Sequence, residues 1–121
     1  MGKWNMLDDF TESPEAIIQI SALKTGGFEG KIIEVFPAPD DDPVDVCKPC
    51  VGADKNKPII GLVVFKQLKF NAKKELMGRV LDPDSGKIYN CQLRSLPNNR
   101  MELHVIVNRL ISQDRYLSLA K

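Results

Sequence analysis

Histidine is nearly missing from this chain, and that alone removes much of the familiar hydrolytic chemistry. His104 is the sole histidine. The sequence has no Gly-x-Ser-x-Gly elbow, no phosphate-cradling glycine loop and no His-Glu-x-x-His pair. Triad catalysis and helical zinc-protease chemistry therefore lack their residues. Three cysteines are too few for a disulfide scaffold. No apolar run approaches the ~20 residues of a membrane helix, so no integral membrane segment is expected. Charge of one sign is lacking too. A net charge of +1 gives no electrostatic case for nucleic acid or an anionic membrane as partner. The chain also shows no targeting segment. That leaves a cytosolic protein or an exported one whose signal peptide has been removed. Its length of 121 residues suits a single domain over 1–121.

What is present reads as strands joined by turns. The most informative stretch is Leu81-Asp82-Pro83-Asp84-Ser85-Gly86-Lys87-Ile88-Tyr89. Pro83 presets φ for a turn, the Asp82 carboxylate accepts from the backbone ahead of it, and Gly86 adopts positive φ without a Cβ penalty. Two strands should flank this hairpin, Leu76–Leu81 and Lys87–Ser95. In the second, Tyr89, Cys91 and Leu93 share one face.

Alternation predicts further strands at Trp4–Leu7, Ala16–Leu23, Phe28–Phe36, Met101–Leu110 and Arg115–Ala120. Ile18 and Ile20 share a face, as do Leu103 and Val105. Gly30 inside a strand predicts a bulge or bend. The apolar run Ile59–Phe65 reads as a strand because β-branched residues and Gly61 favour that over a helix. Phe70–Lys74 reads as a polar connection. The one candidate helical turn is Ser13–Ala16, with Ser13 as N-cap and Pro14 as first helical residue. Residues 37–58, rich in proline and aspartate, form a long loop of the kind that often carries function.

Eight strands in a meander close most naturally into an up-and-down barrel without edges. The expected fold class is all-β, a small eight-stranded antiparallel barrel. Eight strands enclose room for side chains or one small ligand. An empty cavity of ~300 Å³ costs on the order of 7 kcal/mol at ~24 cal/mol per Å³. A domain has only ~5–15 kcal/mol of stability. The barrel is therefore nearly filled, or its pocket is normally occupied.

Gly2-Lys3-Trp4 on the first strand is similar to the Gly-x-Trp signature of lipocalins. It is followed by Cys47-x-x-Cys50 with Gly52, by Lys57-Pro58-Ile59-Ile60-Gly61-Leu62, and by Gly78-Arg79-Val80-Leu81-Asp82-Pro83-Asp84-Ser85-Gly86-Lys87-Ile88-Tyr89. In that order the motifs resemble the bacterial domain-of-unknown-function family twenty-one forty-seven, over roughly residues 2–95. The resemblance implies a small lipocalin-like barrel without established enzymatic activity, exported to the periplasm or secreted. It also implies an arginine over the first-strand tryptophan, here Arg115 on Trp4. The C-terminal part departs from the family, whose members close on Val-Arg-Gly and then Gly-Arg-Thr-Gln before a tryptophan. Here the segments read Val105-Ile106-Val107 and Asp114-Arg115-Tyr116-Leu117-Ser118.

Cys47 and Cys50 suit a local disulfide, a redox pair, half of a zinc site or two free thiols. In an exported protein the disulfide is the favoured reading. Asp45 and Asp40–Asp42 would raise a neighbouring thiol pKa, against redox chemistry. Zinc would need Cys91 and His104 to converge, and alternation sends them to opposite faces. No metal and no cofactor is therefore expected. Asp40–Asp42 lack the spacing of a calcium loop and read as a solvated acidic stretch. Asp82 and Asp84 read as turn-formers rather than an acid–base pair. Lys66, Lys69, Lys73, Lys74 and Arg79, with Phe65 and Phe70 nearby, read as a charged sheet edge rather than a single-strand nucleic-acid site.

The function expected is non-enzymatic binding of a small, largely apolar molecule. Ile18, Ile20, Ile32, Val63, Tyr89, Leu103 and Val105 are the candidate interior wall, with Tyr89 as polar handle and the 37–58 loop as lid. Two alternatives stay open. One is a metal- or thiol-dependent protein centred on Cys47 and Cys50; the other is a filled barrel that binds an unknown protein partner.

Overall fold

Alternation of apolar and polar residues closes the chain on itself. The computed structural model describes residues 2–8, 11–36 and 46–120. Its strands are β1 (Gly2–Leu7), β2 (Pro14–Ala22), β3 (Phe28–Val35), β4 (Val63–Phe70), β5 (Leu76–Leu81), β6 (Ile88–Leu96), β7 (Arg100–Ile106) and β8 (Ser112–Leu119). Each pairs antiparallel with its sequence neighbour, and β1 pairs with β8, which closes the barrel. The connections after β1, β3, β5 and β7 therefore lie at one end, called the mouth. No described helix is long and apolar enough to cross a membrane.

The core is the barrel interior. Ile18, Ile20, Ile32, Phe65, Leu68, Leu76, Cys91, Leu93, Leu103 and Leu117 are buried in one cluster. No polar or charged residue is fully buried among the described residues.

Four expectations about the elements need correction. The first concerns Ser13–Ala16, where Pro14 opens β2 instead of a helix. Proline is tolerated in both places because neither needs its N–H. The second concerns Ile59–Phe65, since β4 starts only at Val63 and runs on through Phe70. Phe70 thus belongs to a strand rather than to a connection. The third concerns Val63. Gly30 faces Phe65 while Lys31 faces Val63, so two steps on β4 match one on β3. This bulge turns Val64 inward and sets Val63 beside the solvent-facing Lys31. The fourth concerns Met101–Leu110, which ends as β7 at Ile106. The chain then turns back, with the Val107 N–H donating to the Ile111 carbonyl.

Candidate functional site

The 82–87 turn positions the mouth. The Gly86 N–H donates to the Asp82 carbonyl at 2.7 Å and the Asp82 N–H to the Lys87 carbonyl at 2.9 Å. The Asp84 N–H donates to Asp82 Oδ1 at 3.0 Å. The Asp82 carboxylate, which also accepts from the Ser85 hydroxyl at 2.9 Å, is therefore accounted for by the turn. Gly86 has φ of 74° and lies directly against the backbone of Pro49 and Cys50, leaving no room for a Cβ.

That contact seats the segment between β3 and β4. Cys47 and Cys50 form a disulfide and are both buried. The Cys47 sulfur lies 3.6 Å from the Pro83 carbonyl oxygen. The Cys47 N–H donates to the Lys57 carbonyl and the Asn56 N–H to the Cys47 carbonyl, both at 2.9 Å. A short 3-10 turn, Gly52–Asp54, presents Asp54 to Lys66 of β4 at 2.8 Å. That hydrogen bond is the main reason the Asp54 carboxyl sits below its usual pKa. At the far side of the segment, the Gly61 N–H donates to the Ile32 carbonyl and the Ile32 N–H to the Leu62 carbonyl. Ile59 and Leu62 join the buried cluster. Residues 46–62 thus pack onto the barrel's buried cluster through Cys47, Cys50, Ile59 and Leu62. Residues 37–45, with the Asp40–Asp42 run, lie outside the described residues.

Of the candidate wall residues, Ile18, Ile20, Ile32, Leu103 and Val105 are buried together, and Tyr89 packs half-buried against them. Val63 is set apart by the bulge. Sequence reasoning missed Phe65, Leu68 and Leu117, which are fully buried. Lysines on either side of Gln67-Leu68 were the available sign of an inward Leu68. Cys91 faces inward too, opposite Val105, and burial pushes its thiol up to about 12. His104 instead pairs with Gln92 and Asp114 in register, on the outer face. Cys91 and His104 diverge, which removes the zinc arrangement.

Two concavities among the described residues lie on the outside of the barrel. One, of about 350 Å³, is lined by Glu75, Gln92, Arg94, Glu102, His104 and Asp114. Its groups are already paired: His104 Nδ1 with Asp114 at 2.6 Å, Arg94 with Glu102 at 2.8 Å, and Gln92 with Glu75 at 2.7 Å. No serine or cysteine nucleophile is in its lining. The other, of about 150 Å³, lies between Leu7, Asp8, Glu12, Asp114 and Tyr116.

Arg115 donates to the Leu7 carbonyl at 3.1 Å and to the Glu15 carboxylate at 2.8 Å. It thereby ties the mouth end of β1 to β8. Desolvation still raises the Glu15 pKa, outweighing the opposing pull of Arg115. Trp4 lies toward the other end, opposite Ile18 and Leu119. A cation–π contact on the outer wall is made by Arg100 over Tyr116, at 5.7 Å. On the basic strand, Lys66 is engaged by Asp54, and Arg79 donates to Gln67 at 2.6 Å.

Residues 2–116 match the model of a family described as an uncharacterized protein conserved in bacteria, DUF2147. Comparison with curated proteins gives no match. Among solved structures, the chain is similar to protein HP1028 from the human pathogen Helicobacter pylori, described as belonging to the lipocalin family. The identity is 14%, the TM-score 0.78, and the alignment covers 99% of this chain and 82% of that one. At this identity the likeness establishes the lipocalin-like fold.

Proposed function

The chain belongs to the bacterial DUF2147 family, and we propose that it is an exported, non-enzymatic binding protein for a small, largely apolar molecule taken into the barrel. One observation carries this reading. The interior wall holds no fully buried polar or charged residue among those described. A ligand entering such a space gains from apolar contact and meets no fixed charge to satisfy. Tyr89, half-buried among the wall residues, supplies one hydroxyl for orientation. The Cys47–Cys50 bond supports export, because disulfides persist in oxidising compartments. The lipocalin fold of the Helicobacter pylori neighbour is compatible with the reading.

Native mass spectrometry of protein purified from the periplasm of its host tests this directly. A co-purifying apolar molecule is the expected result. Protein that arrives without one, and takes up none from a panel of fatty acids and isoprenoids, refutes the reading.

A second reading has its own observation. Phe65, Ile20, Leu68, Leu103 and Leu117 are fully buried, and the two concavities described above are outside the barrel. A filled barrel of this kind serves as an interaction module for another protein. Retention of a specific protein partner by the ligand-free barrel would favour it.

A further inference from the structure

A segment with little regular structure of its own packs onto the buried cluster at the mouth. Between Val46 and Leu62 there is one 3-10 turn and one isolated bridge, Val46 to Pro58. What seats the segment is the Cys47–Cys50 loop, whose Pro49 and Cys50 backbone packs against Gly86, the Asp54–Lys66 pair, and the apolar side chains of Ile59 and Leu62. Pro49, which makes the contact with Gly86, lies between the two bonded cysteines. The bond closes the Cys47–Cys50 loop, so breaking it frees the loop that holds this contact.

We infer that residues 46–62 are a redox-latched stopper, seated while Cys47 and Cys50 are bonded and released from the barrel when that bond is reduced. The inference rests on the apolar-interior reading above for its purpose, but its geometry stands without a ligand. The reductant is an external dithiol. One of its thiolates attacks a cysteine sulfur, the Cys47–Cys50 bond breaks, and a mixed disulfide forms. The second thiolate of the reductant displaces the cysteine from it. Two electrons pass to the protein, Cys47 and Cys50 each end as a protonated thiol, and the dithiol ends as a disulfide. Both sulfurs are buried, so attack waits for a transient opening, and reduction then hinders reseating. Withdrawal of Cys47, Cys50, Ile59 and Leu62 from the buried cluster vacates apolar volume on the mouth side of the interior.

Cys91 is a built-in reporter. It is a free, buried thiol on the mouth-side half of β6. Trp4, the sole tryptophan, sits toward the opposite end and reports the barrel itself. The experiment compares alkylation of Cys91 by iodoacetamide in the oxidised protein and in the Cys47→Ser/Cys50→Ser double variant. Trp4 fluorescence and far-ultraviolet dichroism are followed in parallel. Wild-type protein reduced with a phosphine, with Cys91 alkylation mapped by peptide mass spectrometry, covers a variant that does not fold. The expected result is alkylation at least tenfold faster without the bond, with the Trp4 signal unchanged. Equal rates overturn the inference. So does a rate increase that appears only together with a Trp4 shift, since that is global unfolding. Uptake of 1-anilinonaphthalene-8-sulfonate is read separately. A fast Cys91 with no dye bound supports the latch and counts against the apolar-ligand reading.

Discussion

Gly86 lies against the Pro49 carbonyl so closely that a methyl group on Gly86 would overlap it. The contact joins the hairpin turn after β5 to the disulfide segment. Gly52 provides the comparison, because its φ of 62° resembles the 74° of Gly86 while nothing stands within 4 Å of its missing Cβ. Gly52→Ala should cost about 1 kcal/mol from left-handed backbone strain alone. Gly86→Ala should cost about 2–4 kcal/mol, because the overlap with backbone adds to the strain. Urea denaturation of both variants checks this, and equal losses would mean that the turn and the segment do not touch.

Gly30 and Phe65 form a similar pair inside the barrel. A Cβ on Gly30 would meet the Phe65 ring at 2.7 Å and Ile18 at 3.0 Å. Phe65→Leu leaves part of the ring volume empty and should cost about 1–3 kcal/mol. Gly30→Ala should cost about 1–3 kcal/mol by overpacking. The double variant should be less destabilised than the sum by at least ~0.5 kcal/mol, since the new methyl enters the vacated space. A double-mutant cycle by denaturation measures this, and strict additivity would contradict the packing.

Much of this architecture is legible in the chain because a half-buried strand repeats every second residue. Leu76–Leu81 is a strand with the bounds expected of it, and Ile18 with Ile20, and Leu103 with Val105, turn inward as their spacing requires. The family is legible as well, since the ordered motifs fall within the matched region. Val63 was not legible, because a one-residue bulge reverses the inside and outside of everything before it. Ile59–Leu62 misled for another reason. Apolarity suggests burial, but only Ile59 and Leu62 are buried while Ile60 is exposed, and the stretch is not a strand. Pro14 was ambiguous in principle, as its missing N–H suits the start of either element. The paired surroundings of His104 depend on which strands become neighbours, which no local pattern encodes.

Asp54 and Lys66 give the stopper a pH dependence at the acid end. The Asp54 carboxyl is held below its unfolded value of 3.8 by the Lys66 hydrogen bond. The folded state therefore binds fewer protons there than the unfolded state. The stability this supplies is fully present above the unfolded value and is lost as pH falls through the folded one. Asp54→Asn should flatten that part of the stability profile and cost about 1–2 kcal/mol at neutral pH. Lys57, at 3.7 Å from the same carboxylate, is half exposed and should contribute less. Denaturation midpoints between about pH 2.5 and 7 for wild type, Asp54→Asn and Lys57→Met check the order.

Cys91 predicts the opposite behaviour in alkali. Burial raises its thiol from 9.0 to about 12, because a thiolate inside the apolar barrel loses its hydration. Above pH 9 the unfolded chain releases this proton while the folded chain keeps it. The unfolded state then binds fewer protons, so stability falls as pH rises. The loss should approach ~1.4 kcal/mol per pH unit once well above the unfolded value. Lysine and tyrosine also titrate in this range, so the informative quantity is the difference from Cys91→Ala. That variant should lose about 1 kcal/mol at pH 7 from lost packing and should lack this share of the alkaline slope. Denaturation at pH 8, 9 and 10 separates the two effects, and parallel profiles for wild type and variant would place the thiol in contact with water rather than inside the barrel.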